Sequence, residues 1–113
     1  MSAGYRPDSG DLVWLTFDPQ TGGEQAGRRP AIVLSPAQYN ARTGLALVCP
    51  ITSRSKGYPF EVELPVGYEF NGVVLADHVK SVDWQARQIE LAGQCPKETA
   101  DEVRAKLAAL IGY

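Results

Sequence analysis

Apolar and polar positions alternate along this chain in blocks that are mostly too short for a helix. Asp11 to Phe17 reads Asp-Leu-Val-Trp-Leu-Thr-Phe, rich in aromatic and β-branched side chains, and predicts a strand. Asp18-Pro19 ends it, because proline has no N–H to give to a ladder. Ala31 to Ser35 is a second strand, apolar almost throughout, and Leu45 to Ile51 a third, in which Pro50 points to an edge or a bulge. Phe60 to Leu64 alternates strictly, as a strand with one wet face does. Gly72 to Ala76, Val79 to Val82 and Arg87 to Leu91 complete the short strands.

Helical signals are few. Ser35-Pro36 has the form of an N-cap followed by proline at the first helical position, opening one short turn over Pro36 to Asn40. Arg42-Thr43-Gly44 then closes into a turn. Pro96 to Ile111 is the long helix, with Cys95 at the N-cap position and Glu98 beside the positive end of the dipole. Ala100, Val103, Leu107, Leu110 and Ile111 fall on one stripe, Glu102 and Lys106 have the spacing of an ion pair, and Gly112 is a stop. Many short strands followed by one helix predict a mainly β chain with minor α: a small antiparallel barrel or rolled sheet capped by that helix.

A length of 113 residues and 12.3 kDa fits one domain, residues 1–113. With 44% hydrophobic and 21% charged residues, a disordered or collagen-like chain is excluded. No apolar run approaches the ~20 residues that cross a bilayer, and the first residues lack the apolar core of a secretory signal. A cytoplasmic location follows as the expectation, with no membrane partner. Cys49 and Cys95 have neither metal-ligand spacing nor disulfide density, so both thiols are expected reduced.

The net charge of −2 conceals a pattern. Residues 24–56 carry Arg28, Arg29, Arg42, Arg54 and Lys56 against Glu24 alone, whereas the flanking segments are acidic. The basic segment coincides with two polar loops, Asp18 to Pro30 and Thr52 to Pro59. Thirteen residues without apolar periodicity, as in the first, usually mark function or mobility.

Much familiar chemistry is missing. One histidine, His78, rules out a two-histidine acid–base pair within the chain, and it reads as a turn or packing residue. There is no P-loop and no Gly-x-Ser-x-Gly elbow, and the carboxylates do not fall in the spacing of a calcium loop. No cofactor or metal is expected.

Two segments offer chemistry. Glu24-Gln-Ala-Gly-Arg-Arg-Pro30 puts a carboxylate five residues before Arg29, which precedes a proline and is biased toward extended backbone. The guanidinium fork of Arg29 suits a phosphate gripped at two points. Thr52-Ser-Arg-Ser-Lys-Gly57 adds hydroxyls and two cations at the end of a buried strand. If adjacent strands bring the two segments together they form a phosphate site. The competing reading is a surface ion pair between Arg29 and Glu24, worth ~0–1 kcal/mol.

Gly10-Asp-Leu-Val-Trp14, Glu24 to Ser35, Pro50-Ile-Thr-Ser53, Gly57-Tyr-Pro-Phe-Glu61, Gly72 to Ser81 and Trp84-Gln-Ala-Arg87 together resemble the MazF/PemK family of toxin endoribonucleases, closest to its MazF branch. The resemblance spans roughly residues 5–112. It implies an SH3-like barrel of the CcdB/MazF toxin type with a C-terminal helix, and a homodimer. It implies metal-independent cleavage of single-stranded RNA at short sequences, leaving 2′,3′-cyclic phosphate and 5′-hydroxyl ends. It also implies a partner antitoxin whose acidic segment covers the RNA groove, with DNA met only through the antitoxin complex. By position, the family's essential arginine falls on Arg29, its threonine on Thr52 and its loop glutamate on Glu24. Arg87 matches a basic residue near the RNA, and Arg28 stands where some relatives carry histidine. Arg28, Arg54, Lys56 and Arg87 are the expected RNA-binding set, with Tyr39, Tyr58 and Phe60 as aromatics able to stack on bases, while Trp14 and Trp84 are expected in the core or a dimer interface. Two other readings remain at this level: a gyrase-binding toxin of the CcdB kind without nuclease activity, and a non-catalytic RNA-binding barrel.

Overall fold

Residues 4–16 and 27–112 are described by the computed structural model. Seven strands form one antiparallel system: β1 (Asp11–Thr16), β2 (Arg28–Val33), β3 (Leu45–Thr52), β4 (Glu61–Glu63), β5 (Val73–Leu75), β6 (Lys80–Asp83) and β7 (Glu90–Gln94). Helix α1 (Ala37–Thr43) joins β2 to β3, a 3-10 turn (Ala76–His78) joins β5 to β6, and α2 (Lys97–Leu110) follows β7. The strand order is β4-β5-β3-β2-β1-β7, with β6 also on β3. The described path is an open, rolled sheet whose ends, β4 and β7, do not pair.

The apolar runs of β1, of Ala31 to Val33 in β2 and of Val48 and Cys49 in β3 have a direct cause: these stretches are buried on both faces, whereas Leu45 and Leu47 of β3 are exposed. Leu12, Ile32, Cys49 and Ile51 point into one cluster, which α2 covers with Ala100 and Val103. Val13, Leu15, Ala31, Val33 and Val48 point into a second cluster, closed by Trp84 and Ile89. Trp14 meets Phe70 edge-on at 4.9 Å between ring centroids, and Trp84 donates its indole N–H to the Asn40 carbonyl at 2.9 Å. Both tryptophans are thus packing residues within the chain. Cys49 and Cys95 are free thiols, and burial pushes that of Cys49 up to about 12, leaving it a packing group rather than a nucleophile.

Pro50 explains itself in the register. The outer edge of β3 pairs with β6 through Leu45 to Val48 and with β5 through Ile51 and Thr52. Pro50 sits where the edge changes partner, so its missing N–H interrupts no ladder there. The second strand begins earlier than the pattern predicts, taking Arg28, Arg29 and Pro30 out of the loop and into β2 against Thr16, Leu15 and Trp14.

Three local expectations need correction. Helix α1 continues through Arg42 and Thr43. Its start is capped from a distance: Asp8 Oδ1 accepts the Ala37 N–H at 2.8 Å, whereas the Ser35 hydroxyl donates to the buried Asn40 side chain. The last strand lies three residues downstream of Arg87 to Leu91. Asp83 instead holds a turn by accepting the amides of Ala86 (3.0 Å) and Arg87 (2.9 Å), and Gln88 at φ 56° is outside strand geometry. Pro96, not Cys95, is the N-cap of α2: its carbonyl accepts the first helical amide, that of Ala100, at 3.3 Å, while the Cys95 amide continues the pairing of the strand with the Gly10 carbonyl at 3.0 Å. In the same helix Lys106 reaches the Pro59 carbonyl, and Asp101 carries ion pairs to Lys97 and Arg104.

Candidate active site

Thr52 is the last residue of β3, opposite Val73 of β5. Its hydroxyl oxygen accepts the amide of Arg54 at 3.2 Å, which leaves its own proton to donate elsewhere. Behind it, Gly72 lies with φ at 118°, so close that a Cβ there would stand 2.0 Å from the Thr52 carbonyl oxygen. Only glycine fits that approach.

The polar segment after Thr52 is a built turn. Glu61 of β4 accepts the Ser55 hydroxyl (2.8 Å), the Lys56 amide (2.9 Å) and the Gly57 amide (3.1 Å). These donors, the Lys56 amide first, hold the Glu61 carboxyl below the usual glutamate range. A depressed native value means that the carboxylate contacts are complete above the unfolded-state pKa of ~4.3 and are lost as pH falls through the native value. In an acid titration followed by NMR, the Lys56 and Gly57 amides are therefore expected to move together, with a midpoint below ~4.3. Independent midpoints would mean that Glu61 does not hold the turn.

A cleft of about 320 Å³ opens on this turn. Thr52, Arg54, Lys56 and Tyr58 line one part of it and Glu61, Asp77 and His78 another. Tyr58 is 61% exposed, free to present a ring face. His78 Nε2 is 3.9 Å from Asp77 Oδ1, an ion pair only when the imidazole is protonated. His78 thus sits in a turn as expected, yet also in the cleft.

Arg29 is exposed on β2, opposite Leu15 of β1. The β2–β3 ladder runs Val33–Val48, Ile32–Cys49, Ala31–Pro50. Arg29 lies two residues before Ala31 and Thr52 two after Pro50. Strand alternation therefore puts both on the face of the second cluster, at the same end of neighbouring strands. Arg28 faces the other way. Its guanidinium donates to the carbonyls of Trp14 (3.2 Å) and Arg87 (3.3 Å) and pairs with Glu90 at 3.0 Å. Arg87 in turn donates to the Thr16 carbonyl at 3.2 Å. These two arginines tie the end of β1 to the turn before β7, with part of each fork used internally. Glu24 lies outside the described residues, as does most of the Asp18 to Pro30 loop.

The structure thus brings Thr52, Arg54 and Lys56 into one cleft, sets Arg29 on the adjoining strand, and separates Arg28 and Arg87 from them. Sequence reasoning missed Glu61 and Gly72. The alternation at Phe60 to Leu64 placed Glu61 on a wet face, but gave no sign that it reaches back across the turn. Among the described residues, no three His, Cys, Asp or Glu side chains gather to hold a metal ion, and no helix is long and apolar enough to cross a membrane.

Residues 8–111 match the family described as PemK-like, MazF-like toxin of type II toxin-antitoxin system. The endoribonuclease toxin MazF of Escherichia coli (strain K12) is 53% identical over 112 residues, covering 99% of this chain and 100% of the relative. Among solved structures, MazF from Deinococcus radiodurans superposes with a TM-score of 0.88 at 58% identity, covering 96% of this chain and 99% of the other. A MazE-MazF complex from the same organism gives a TM-score of 0.86 at 54% identity, covering 96% and 97%.

Proposed function

The chain belongs to the PemK-like, MazF-like family of type II toxin–antitoxin systems, and on that premise we propose that this endoribonuclease toxin cuts single-stranded RNA at the end of β2 and β3, without a metal ion. The observation that carries the reading is the cleft that gathers Thr52, Arg54 and Lys56, with Arg29 on the same face of the next strand. A gyrase poison needs no phosphate grip, so this arrangement favours nuclease action over the CcdB-like reading.

The reaction is an internal displacement. The ribose 2′-oxygen loses its proton and bonds to the adjacent phosphorus. The bond from phosphorus to the 5′-oxygen breaks in line, and that oxygen gains a proton. The products are a 2′,3′-cyclic phosphate and a 5′-hydroxyl, and no water is consumed. Arg29 holds the non-bridging oxygens and meets the charge that grows on them, which is usually the largest catalytic contribution. The Thr52 hydroxyl donates to one of the same oxygens. Glu24 takes the 2′-proton, general-base help of the kind that contributes ~10²–10⁴-fold. Arg54 and Lys56 hold flanking phosphates, with the positive charges of Arg28 and Arg87 farther along the RNA. Tyr58 supplies a stacking surface for an unpaired base.

Two partners follow. A second copy of the chain completes a homodimer, and a MazE-like antitoxin lays an acidic segment against Arg54 and Lys56, a match of opposite charges. Incubating the protein with a defined RNA in EDTA and sequencing the new 5′ ends tests the reading. Discrete 5′-hydroxyl ends at one short sequence are expected. Intact RNA in EDTA, with cleavage restored by a divalent ion, would overturn the metal-free mechanism, and intact RNA under both conditions would overturn nuclease action.

A further inference from the structure

The turn after Thr52 is fastened at both ends. At its start, the Arg54 amide is bound by the Thr52 hydroxyl oxygen. At its close, Ser55, Lys56 and Gly57 converge on the single carboxylate of Glu61. Glu61 itself is fixed by the β4–β5 ladder, where it pairs with Leu75, and by its amide, which donates to the Tyr58 carbonyl at 3.1 Å. The two cations that line the cleft, Arg54 and Lys56, project from this fastened turn. Resting on the RNA-cleaving function just proposed, we infer that Glu61 is a positioning residue for substrate: it holds the turn so that Arg54 and Lys56 meet RNA phosphates without first having to be ordered.

Two effects of Glu61 on RNA have opposite signs. As a charge in the cleft it repels phosphate, so removing it alone would tighten binding. As the fastener of the turn it spares RNA the entropy cost of fixing the backbone that carries Arg54 and Lys56, so removing it would weaken binding. Three donors on one carboxylate, all from a span of three residues, make the second effect the larger. The carboxylate also fills the Lys56 and Gly57 amides, so phosphate is met by the side chains of this turn and not by its backbone.

Glu61→Gln keeps the shape and removes the charge, but one of its terminal atoms can no longer accept. For this variant KM is expected to rise about five- to tenfold, the size of one or two weakened charge-assisted hydrogen bonds. Its kcat should fall by less than KM rises, because Glu61 bonds neither Arg29 nor Thr52, which are held by the ladders of β2 and β3. Binding of a 2′-O-methyl RNA, which cannot be cleaved, should weaken by the same factor. Ser55→Ala, which leaves the Glu61 charge in place, should weaken binding in the same direction by about twofold. Tighter or unchanged binding by Glu61→Gln would overturn the inference, and so would a fall in kcat at constant KM. If Glu61→Gln does not fold, Ser55→Ala decides alone, and unchanged binding there would overturn it. The function itself is judged separately: a wild-type protein that binds the uncleavable RNA yet leaves ordinary RNA intact would refute cleavage, while the binding comparison still tests Glu61.

Discussion

Arg29→Ala is expected to lower RNA cleavage at least ~10²-fold while leaving the protein folded. The expectation has two parts. Arg29 is exposed at one end of β2, on the face it shares with Thr52, so its removal empties no core position. The change in stability should stay within ~0.5 kcal/mol, as for surface sites elsewhere. The loss should fall on kcat more than KM, because a guanidinium that meets growing charge binds the transition state better than the ground state. Arg29→Lys keeps the charge and loses the fork, so it should recover only part of the rate. Single-turnover cleavage of a defined RNA, paired with thermal unfolding of each variant, reads both parts. An alanine variant that cuts at the wild-type rate would remove Arg29 from the chemistry and with it the reason for placing the reaction at this end of the sheet.

Gly72→Ala has the next largest expected effect. The backbone there stands at φ 118°, which an L side chain rarely adopts, and the new Cβ would lie 2.0 Å from the Thr52 oxygen and 2.8 Å from the Ser53 Cα. Both neighbours are backbone, so nothing can rotate away. Strain of this kind costs ~1–3 kcal/mol before the collision is counted. Relief requires the end of β3 to move, and Thr52 moves with it. Gly67 is the control: it has φ 98° but open space around it. Gly67→Ala should lose stability and keep activity, whereas Gly72→Ala should lose both, with cleavage falling ~10-fold or more at a temperature where both variants are folded. Equal activities would show that the Gly72 contact does not set the position of Thr52.

The contrast between these residues shows what the sequence could reveal. Strands were legible wherever burial dictated composition, as in β1 and the second half of β2, whose two covered faces demand continuous apolar runs. Where a boundary depended on one distant hydrogen bond, it was not. The cap of α1 came from Asp8, far from it in sequence, and the distant Gly10 carbonyl holds the Cys95 amide, so strand pairing runs on to the residue before Pro96. The same division holds at the site. Thr52, Arg54 and Lys56 lie within one short segment, so their grouping followed from spacing. Arg29 joined them only through the pairing of β2 with β3. Glu61 was hidden because an alternating strand exposes every other side chain without indicating what each will touch. Gly72 was hidden because a missing Cβ leaves no mark on a hydropathy pattern.

The path of β1 bears on how a cell survives making this protein. β1 pairs with β2, made soon after it, and with β7, among the last segments to be made. Ser9, just ahead of β1, is held by Arg104 of α2. A nascent chain therefore cannot close around its first strand until β7 and α2 have left the ribosome. Until then the edge awaiting β7 is unpaired, and the helix that covers one of the two clusters does not exist. Synthesis itself thus imposes a delay, during which the growing toxin has no finished fold.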